Sequence, residues 1–132
     1  MSSGDGSRDI DLARVICPLH ELDDPGARGF VMGEGDWPLR GFVVRRGALL
    51  RAYVNHCPHA GFPLNGSPDA FLAPAAPVIL CSMHGALFDI ETGACISGPC
   101  EGLSLRALPV QVDGGYVMLA DGVPLEEPYD LG

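Results

Sequence analysis

The chain has 132 residues, a length suited to one domain, and a formal charge of −9 from 17 acidic and 8 basic residues; its longest cationic run is Arg45-Arg46, which argues against nucleic-acid binding. Apolar residues make up 47% but aromatics only 7%, so the core should be built of Val, Leu, Ile and Ala, and the 18 Gly and 12 Pro that punctuate short apolar runs read as a turn-rich all-β domain. No apolar run approaches the roughly 18 residues of a membrane span, and the polar stretch from Met1 to Asp11 lacks a basic start and an apolar segment, so a cytoplasmic location is expected.

In chain order, residues 1–14 read as an N-terminal arm, 15–120 as the folded body and 121–132 as a polar tail. Val15 to Leu19, Ala27 to Met32, Gly41 to Arg46 and Leu49 to Asn55 are short runs bounded by turn formers. Arg46-Gly47-Ala48 makes a hairpin turn between the last two. Ser67 to Pro77, rich in Pro and Ala, reads as an excursion outside the core. Val78 to Cys81, Ala86 to Ile90, Ala107 to Val112 and Tyr116 to Ala120 resume the strand pattern, with turns at Glu91-Thr92-Gly93 and Asp113-Gly114-Gly115. No run of ten residues has helical periodicity. The expected architecture is an antiparallel β-sandwich or small barrel, with two loops that each carry Cys and His.

Those loops hold the chemistry. Five cysteines without a secretory signal point to metal or redox work in a reducing compartment more than to a disulfide framework. Cys57-Pro58-His59 and Cys81-Ser82-Met83-His84 together offer two thiolates and two imidazoles, a full ligand set for a tetrahedral metal or an iron–sulfur cluster. Glycine follows each pair at Gly61 and Gly85, allowing tight turns and close backbone approach. A structural zinc site is the plainer alternative, but zinc-finger spacing pairs Cys with Cys and His with His, whereas here each loop supplies one of each.

The segments Asn55-His-Cys-Pro-His-Ala-Gly61 and Cys81-Ser-Met-His-Gly-Ala-Leu-Phe-Asp89, followed by Thr92-Gly93 and Gly98-Pro99, resemble the two cluster loops and the proline loop of Rieske ferredoxins. The similarity runs from about Val15 to Ala120. It implies a Rieske-type antiparallel β-sandwich with a small cluster-binding subdomain and one [2Fe–2S] cluster per chain. It further implies Cys57 and Cys81 on one iron, and His59 and His84 on the other. With two neutral imidazoles the oxidised site is uncharged, where four thiolates would leave it doubly negative, so an added electron meets less repulsion.

The sequence departs from the family pattern in two ways. The 21 residues between His59 and Cys81 exceed the family's usual gap, and the surplus falls in Ser67 to Pro77. Phe62 and Met83 stand where respiratory Rieske proteins carry two further cysteines, and Ala86 and Phe88 where those proteins place hydroxyl donors. Fewer hydrogen bonds to sulfur imply a potential near the low end of the Rieske range, about −150 mV.

Other candidates are weaker. Cys17-Pro18-Leu19-His20 is a second Cys-x-x-His but lies in the first predicted strand without a following glycine; it reads as a buried thiol and a surface imidazole. His56 is expected to face solvent. Cys95 and Cys100 flank the Gly98-Pro99 turn and read as packed thiols, with a labile disulfide as the alternative and Cys100 near the cluster. Trp37 and Phe42 read as packing residues, and Phe62 as cover for the cluster's flank.

A terminal oxygenase would need a further site of two histidines and a carboxylate, and only His20 and His56 remain. The resemblance therefore implies an electron-transfer protein with no catalytic site of its own, passing single electrons from a flavin reductase to a ring-hydroxylating oxygenase. A nitrite reductase small-subunit-like partner and a redox-sensing interaction module are the alternatives. The electrons are expected to pass at the exposed edges of His59 and His84. A −9 surface favours a partner that is basic where it docks.

Overall fold

A computed structural model describes residues 12–58, 63–66, 69–74, 76–82, 85–100 and 102–125. Among these residues ten strands follow in order: β1 (Val15–Pro18), β2 (Gly26–Met32), β3 (Leu39–Arg46), β4 (Leu49–Val54), β5 (Ile79–Leu80), β6 (Leu87–Phe88), β7 (Cys95–Ser97), β8 (Ala107–Leu108), β9 (Val110–Asp113) and β10 (Tyr116–Leu119). The helical turns among the described residues are the short 3-10 pieces Leu12–Arg14 and Leu19–Glu21. Among those residues no helix is long and apolar enough to cross a membrane.

The strands form three antiparallel sheets, ordered β2-β3-β4-β8, β9-β10-β1 and β5-β6-β7. The four-stranded sheet is the middle layer, and period-two alternation explains how. Phe42 and Val44 on β3 and Tyr53 on β4 point into one core with Phe71, Ile79, Phe88 and Ile90. Val43, Ala52 and Val54 point into a second core with Cys17, Val117 and Leu119 from the β9-β10-β1 sheet. A strand covered on both faces needs no polar alternation, which is why Gly41-Phe-Val-Val44 is apolar throughout and buried throughout. The sandwich is therefore a central sheet with the three-stranded sheet on one side and the small β5-β6-β7 subdomain on the other.

Turn chemistry matches turn geometry. Arg46 pairs with Leu49 across a two-residue turn in which Gly47 has φ +61, and Asp24 Oδ1 accepts the Gly47 N–H at 2.7 Å. Gly114 and Gly115 have φ of +59 and +85, the double positive φ that a two-residue turn between Asp113 and Tyr116 demands. The run from Ala107 is split at Pro109 into β8 and β9, which join different sheets; a residue without an N–H cannot continue a ladder.

Three sequence expectations need correction. The Ser67–Pro77 stretch is not wholly outside the core: Phe71 is buried and stacks on Phe42 with ring centroids 4.3 Å apart. Asp69, at φ +64, anchors the stretch by accepting the Gly29 N–H at 2.8 Å, and Leu72 bridges to Ile79. Trp37 does not pack; it is 69% exposed. The strand β7 was not anticipated, because Cys-Ile-Ser is too short to show a period. At the C-terminal side, Val123 is buried in the second core, and the Arg14 guanidinium donates to the carbonyls of Ala120 and Val123 at 3.1 and 2.7 Å.

The central sheet is tied to the small subdomain by Tyr53, whose hydroxyl donates to the buried Ile90 carbonyl at 2.6 Å. Gly93, at φ +77, lies so close that a Cβ there would sit 2.7 Å from the Tyr53 ring. Burial pushes the Tyr53 hydroxyl up to about 12, with Arg51 opposing and Asp89 and Glu91 adding. A raised pKa in the folded state means that this contribution is complete below pH 10 and is lost as pH rises toward 12. Tyr53→Phe should lower stability by about 1–3 kcal/mol, since it leaves the Ile90 carbonyl buried without its donor, and should flatten the decline in stability between pH 10 and 12. Urea midpoints by circular dichroism across that range check both.

Candidate metal centre

Cys57 follows the end of β4, and Cys81 follows β5. Both thiols are buried, at 1% and 0% exposure, in the core shared with Phe71, Ile79, Ala86 and Phe88. Each is therefore carried into the interior by a strand that is itself anchored on the central sheet or on the β5-β6-β7 sheet. His59 and His84, with Phe62 and Met83, lie outside the described residues.

The backbone between the two thiols is held at one residue, Leu64. Asn55, a polar side chain only 8% exposed, accepts the Leu64 N–H on Oδ1 at 2.8 Å and donates from Nδ2 to Asn65 Oδ1 at 2.9 Å. The Leu64 carbonyl accepts two hydrogens from Ser82, from its N–H at 2.8 Å and from its hydroxyl at 2.7 Å. Leu64 is itself fully buried. The first loop, opened by Asn55, and the second, opened by Cys81, are thus fastened to each other where they leave the sheets. Gly66 fits beside this clamp, since a Cβ there would approach the Ser82 hydroxyl to 3.2 Å.

The second loop is tight. The Cys81 N–H donates to the Ala86 carbonyl, and the Gly85 N–H donates back to the Cys81 carbonyl, each at 2.8 Å. Gly85 adopts φ +73, which explains the glycine after His84. A third loop closes over it: Gly98, at φ +107, lies where a Cβ would sit 2.8 Å from Ala86 Cα. The Cys95 N–H donates to the Leu103 carbonyl and the Leu103 N–H to the Cys100 carbonyl, both at 2.9 Å. Cys100 is fully buried in the same core as Cys57 and Cys81, as expected for a residue near them. Its thiol is pushed well up, first by burial, then by the hydrogen bond to Cys95 and by the Cys57 thiol nearby.

The other sequence candidates separate cleanly. Cys17 is buried on the opposite side of the central sheet, in the second core; burial raises its pKa despite Arg28. His20 is exposed on a 3-10 turn, and His56 is half-buried. Among the described residues no three His, Cys, Asp or Glu side chains are arranged to hold a metal ion, which includes the Cys17 and His20 neighbourhood. Asn55 and Ser82 are the residues that sequence reasoning missed: Asn55 stands two positions before the first Cys/His pair and Ser82 inside the second, but a neutral amide and a hydroxyl carry no metal signature.

The donor chemistry fits an iron–sulfur group. Two thiols lie in one apolar core, and an iron–sulfur group bound there would take them as thiolates.

Residues 13–109 match the family model described as the Rieske [2Fe-2S] domain. Among solved structures, the ferredoxin of carbazole 1,9a-dioxygenase from Nocardioides aromaticivorans IC177 is 31% identical, over 81% of this chain and 94% of that one, with a TM-score of 0.63. A ferredoxin in a complex of reduced oxygenase and oxidized ferredoxin of carbazole 1,9a-dioxygenase is 26% identical, over 80% and 99%, at 0.62. The Sphingomonas yanoikuyae B1 ferredoxin shares the fold at 24% identity, over 87% and 97%, at 0.58. A search of curated proteins returned no match.

The clamp makes a graded prediction. Asn55→Ala strands a buried N–H and should cost about 1–3 kcal/mol, whereas Ser82→Ala leaves the Leu64 carbonyl its backbone donor and should cost about 1 kcal/mol. Urea midpoints, with the rate of iron loss to a chelator, should rank the variants in that order; equal effects would remove the clamp from the account.

Proposed function

The chain belongs to the Rieske [2Fe–2S] domain family, and on that premise we propose that it is a single-electron carrier whose cluster is held by Cys57 and Cys81 on one iron and by His59 and His84 on the other. When bound, the cluster supplies one-electron redox chemistry at a potential raised by its imidazole ligands. The observation that carries this reading is the pair of buried thiols on two loops locked together through Leu64. Asn55 and Ser82 tie the two loops together where they carry Cys57 and Cys81. Phe71, Ile79, Phe88 and Ile90 exclude water beneath the thiols. The backbone of Gly85 and Gly98 permits close approach.

The identity of 31% to a dioxygenase ferredoxin, against 23% to the terminal oxygenase of the same Nocardioides system, supports a carrier more than an oxygenase. The partners proposed are a flavin reductase that donates the electron and a terminal oxygenase that receives it. With a charge of −9, the chain suits partners that are basic around the docking site. Ala86 and Phe88 bring no hydroxyl to the cluster, which keeps its potential low.

Anaerobically purified protein should contain about two irons and two sulfides per chain, and dithionite should reduce it by one electron. The reduced protein should pass that electron to a Rieske-type terminal oxygenase at a rate that falls with salt. One zinc and no sulfide would overturn the cluster assignment, and a reduced protein that no oxygenase reoxidises would overturn the carrier role. Cys81→Ser and His59→Ala should abolish the visible absorption, while Cys17→Ser, in the opposite core, should keep it.

A further inference from the structure

The β5-β6-β7 subdomain contains two thiols that the ligand set does not use. Cys95 opens β7 and Cys100 lies beyond the Gly98-Pro99 turn, and both are free. The turn brings their sulfurs together, with Cys100 Sγ 2.6 Å from Cys95 Sγ. We propose that Cys95 and Cys100 form a redox-active dithiol that low-molecular-weight disulfides oxidise to an intramolecular disulfide beside the cluster, as a site separate from the cluster's own chemistry.

Two observations besides proximity support this. The segment is closed at its base by hydrogen bonds from the Cys95 N–H to Leu103 and from the Leu103 N–H to Cys100, so both sulfurs are presented by a preformed turn and little chain freedom remains to be lost on closure. Access is unequal: Cys95 is 9% exposed between the exposed Ile96 and the half-buried Ala94, whereas Cys100 is fully buried. Cys95 is therefore the entry sulfur and Cys100 the resolving one.

The chemistry balances as thiol–disulfide exchange. Cys95, giving up its proton, attacks one sulfur of a small disulfide RS–SR; the S–S bond of that molecule breaks, a Cys95–SR bond forms, and RS⁻ leaves and takes a proton. Cys100, giving up its proton in turn, attacks Cys95 Sγ; the Cys95–SR bond breaks, the Cys95–Cys100 bond forms, and the second RS⁻ leaves as RSH. The protein loses two electrons and two protons, and RS–SR gains them as two RSH. The product is a ring through residues 95–100 that pins Gly98 against Ala86, the residue whose carbonyl accepts the Cys81 N–H.

The test uses holo protein, treated anaerobically with oxidised glutathione, then denatured in acid, alkylated and analysed by intact mass and peptide mapping. Of five cysteines, the expected result is loss of two alkylatable thiols, located to Cys95 and Cys100, with the visible absorption retained up to the denaturing step. Cys100→Ala should instead accumulate a glutathione adduct on Cys95, and Cys95→Ser should take up none. Five alkylated cysteines in treated wild-type protein would overturn the proposal, as would a bond that maps to Cys17, Cys57 or Cys81. Wild-type mapping decides the matter even if a variant fails to fold. Failure here would leave the carrier reading untouched, because that reading is judged by iron, sulfide and electron transfer.

Discussion

One buried residue, Leu64, joins through its backbone the two loops that carry Cys57 and Cys81. Its N–H is taken by Asn55 and its carbonyl by Ser82 twice over, so the loop after β4 and the loop after β5 cannot move independently. A buried amide of this kind is costly when unpaired and gains strength from its low-dielectric surroundings. A hydrogen-bonded clamp ties the two Cys-bearing loops together without adding charge near the thiols.

The clamp depends in turn on the layer beneath it. The central sheet buries both faces, so its strands cannot slip by one residue without exchanging one core for the other. Phe42 reaches the subdomain side, where it meets Phe71 and Tyr53, and Val43 reaches the opposite side. Tyr53 then crosses to the Ile90 carbonyl, next to the Asp89–Thr92 turn, where Asp89 Oδ2 accepts the Thr92 N–H and hydroxyl at 3.0 and 2.8 Å. The subdomain is thus seated on the sheet by ring packing and one buried hydrogen bond, and its own short strands need contribute little independent stability.

Four buried thiols occupy neighbouring places in one core. Cys57 and Cys81 come from the two clamped loops, and Cys95 and Cys100 from the third, which leans on Ala86 through Gly98. The Cys95–Cys100 pair differs from Cys57 and Cys81 in one physical respect: its sulfurs meet across a single turn, whereas Cys57 and Cys81 open separate loops.

By itself the sequence determined the fold class, most strand positions, the glycine turns at Gly47 and Gly114-Gly115, and the two Cys/His pairs, because these are local. Side-chain period, turn propensity and ligand spacing are all written within a few residues. Only the tertiary structure decided that the four-stranded sheet is a middle layer, that Phe71 in a Pro- and Ala-rich stretch is core, and that Trp37 is not. It alone decided that Asn55, Leu64 and Ser82 form one clamp and that Cys95 meets Cys100. The reason is common to all of these: they depend on which distant segment supplies the partner, and an amide, a ring or a thiol looks the same in sequence whether it is paired, packed or facing water.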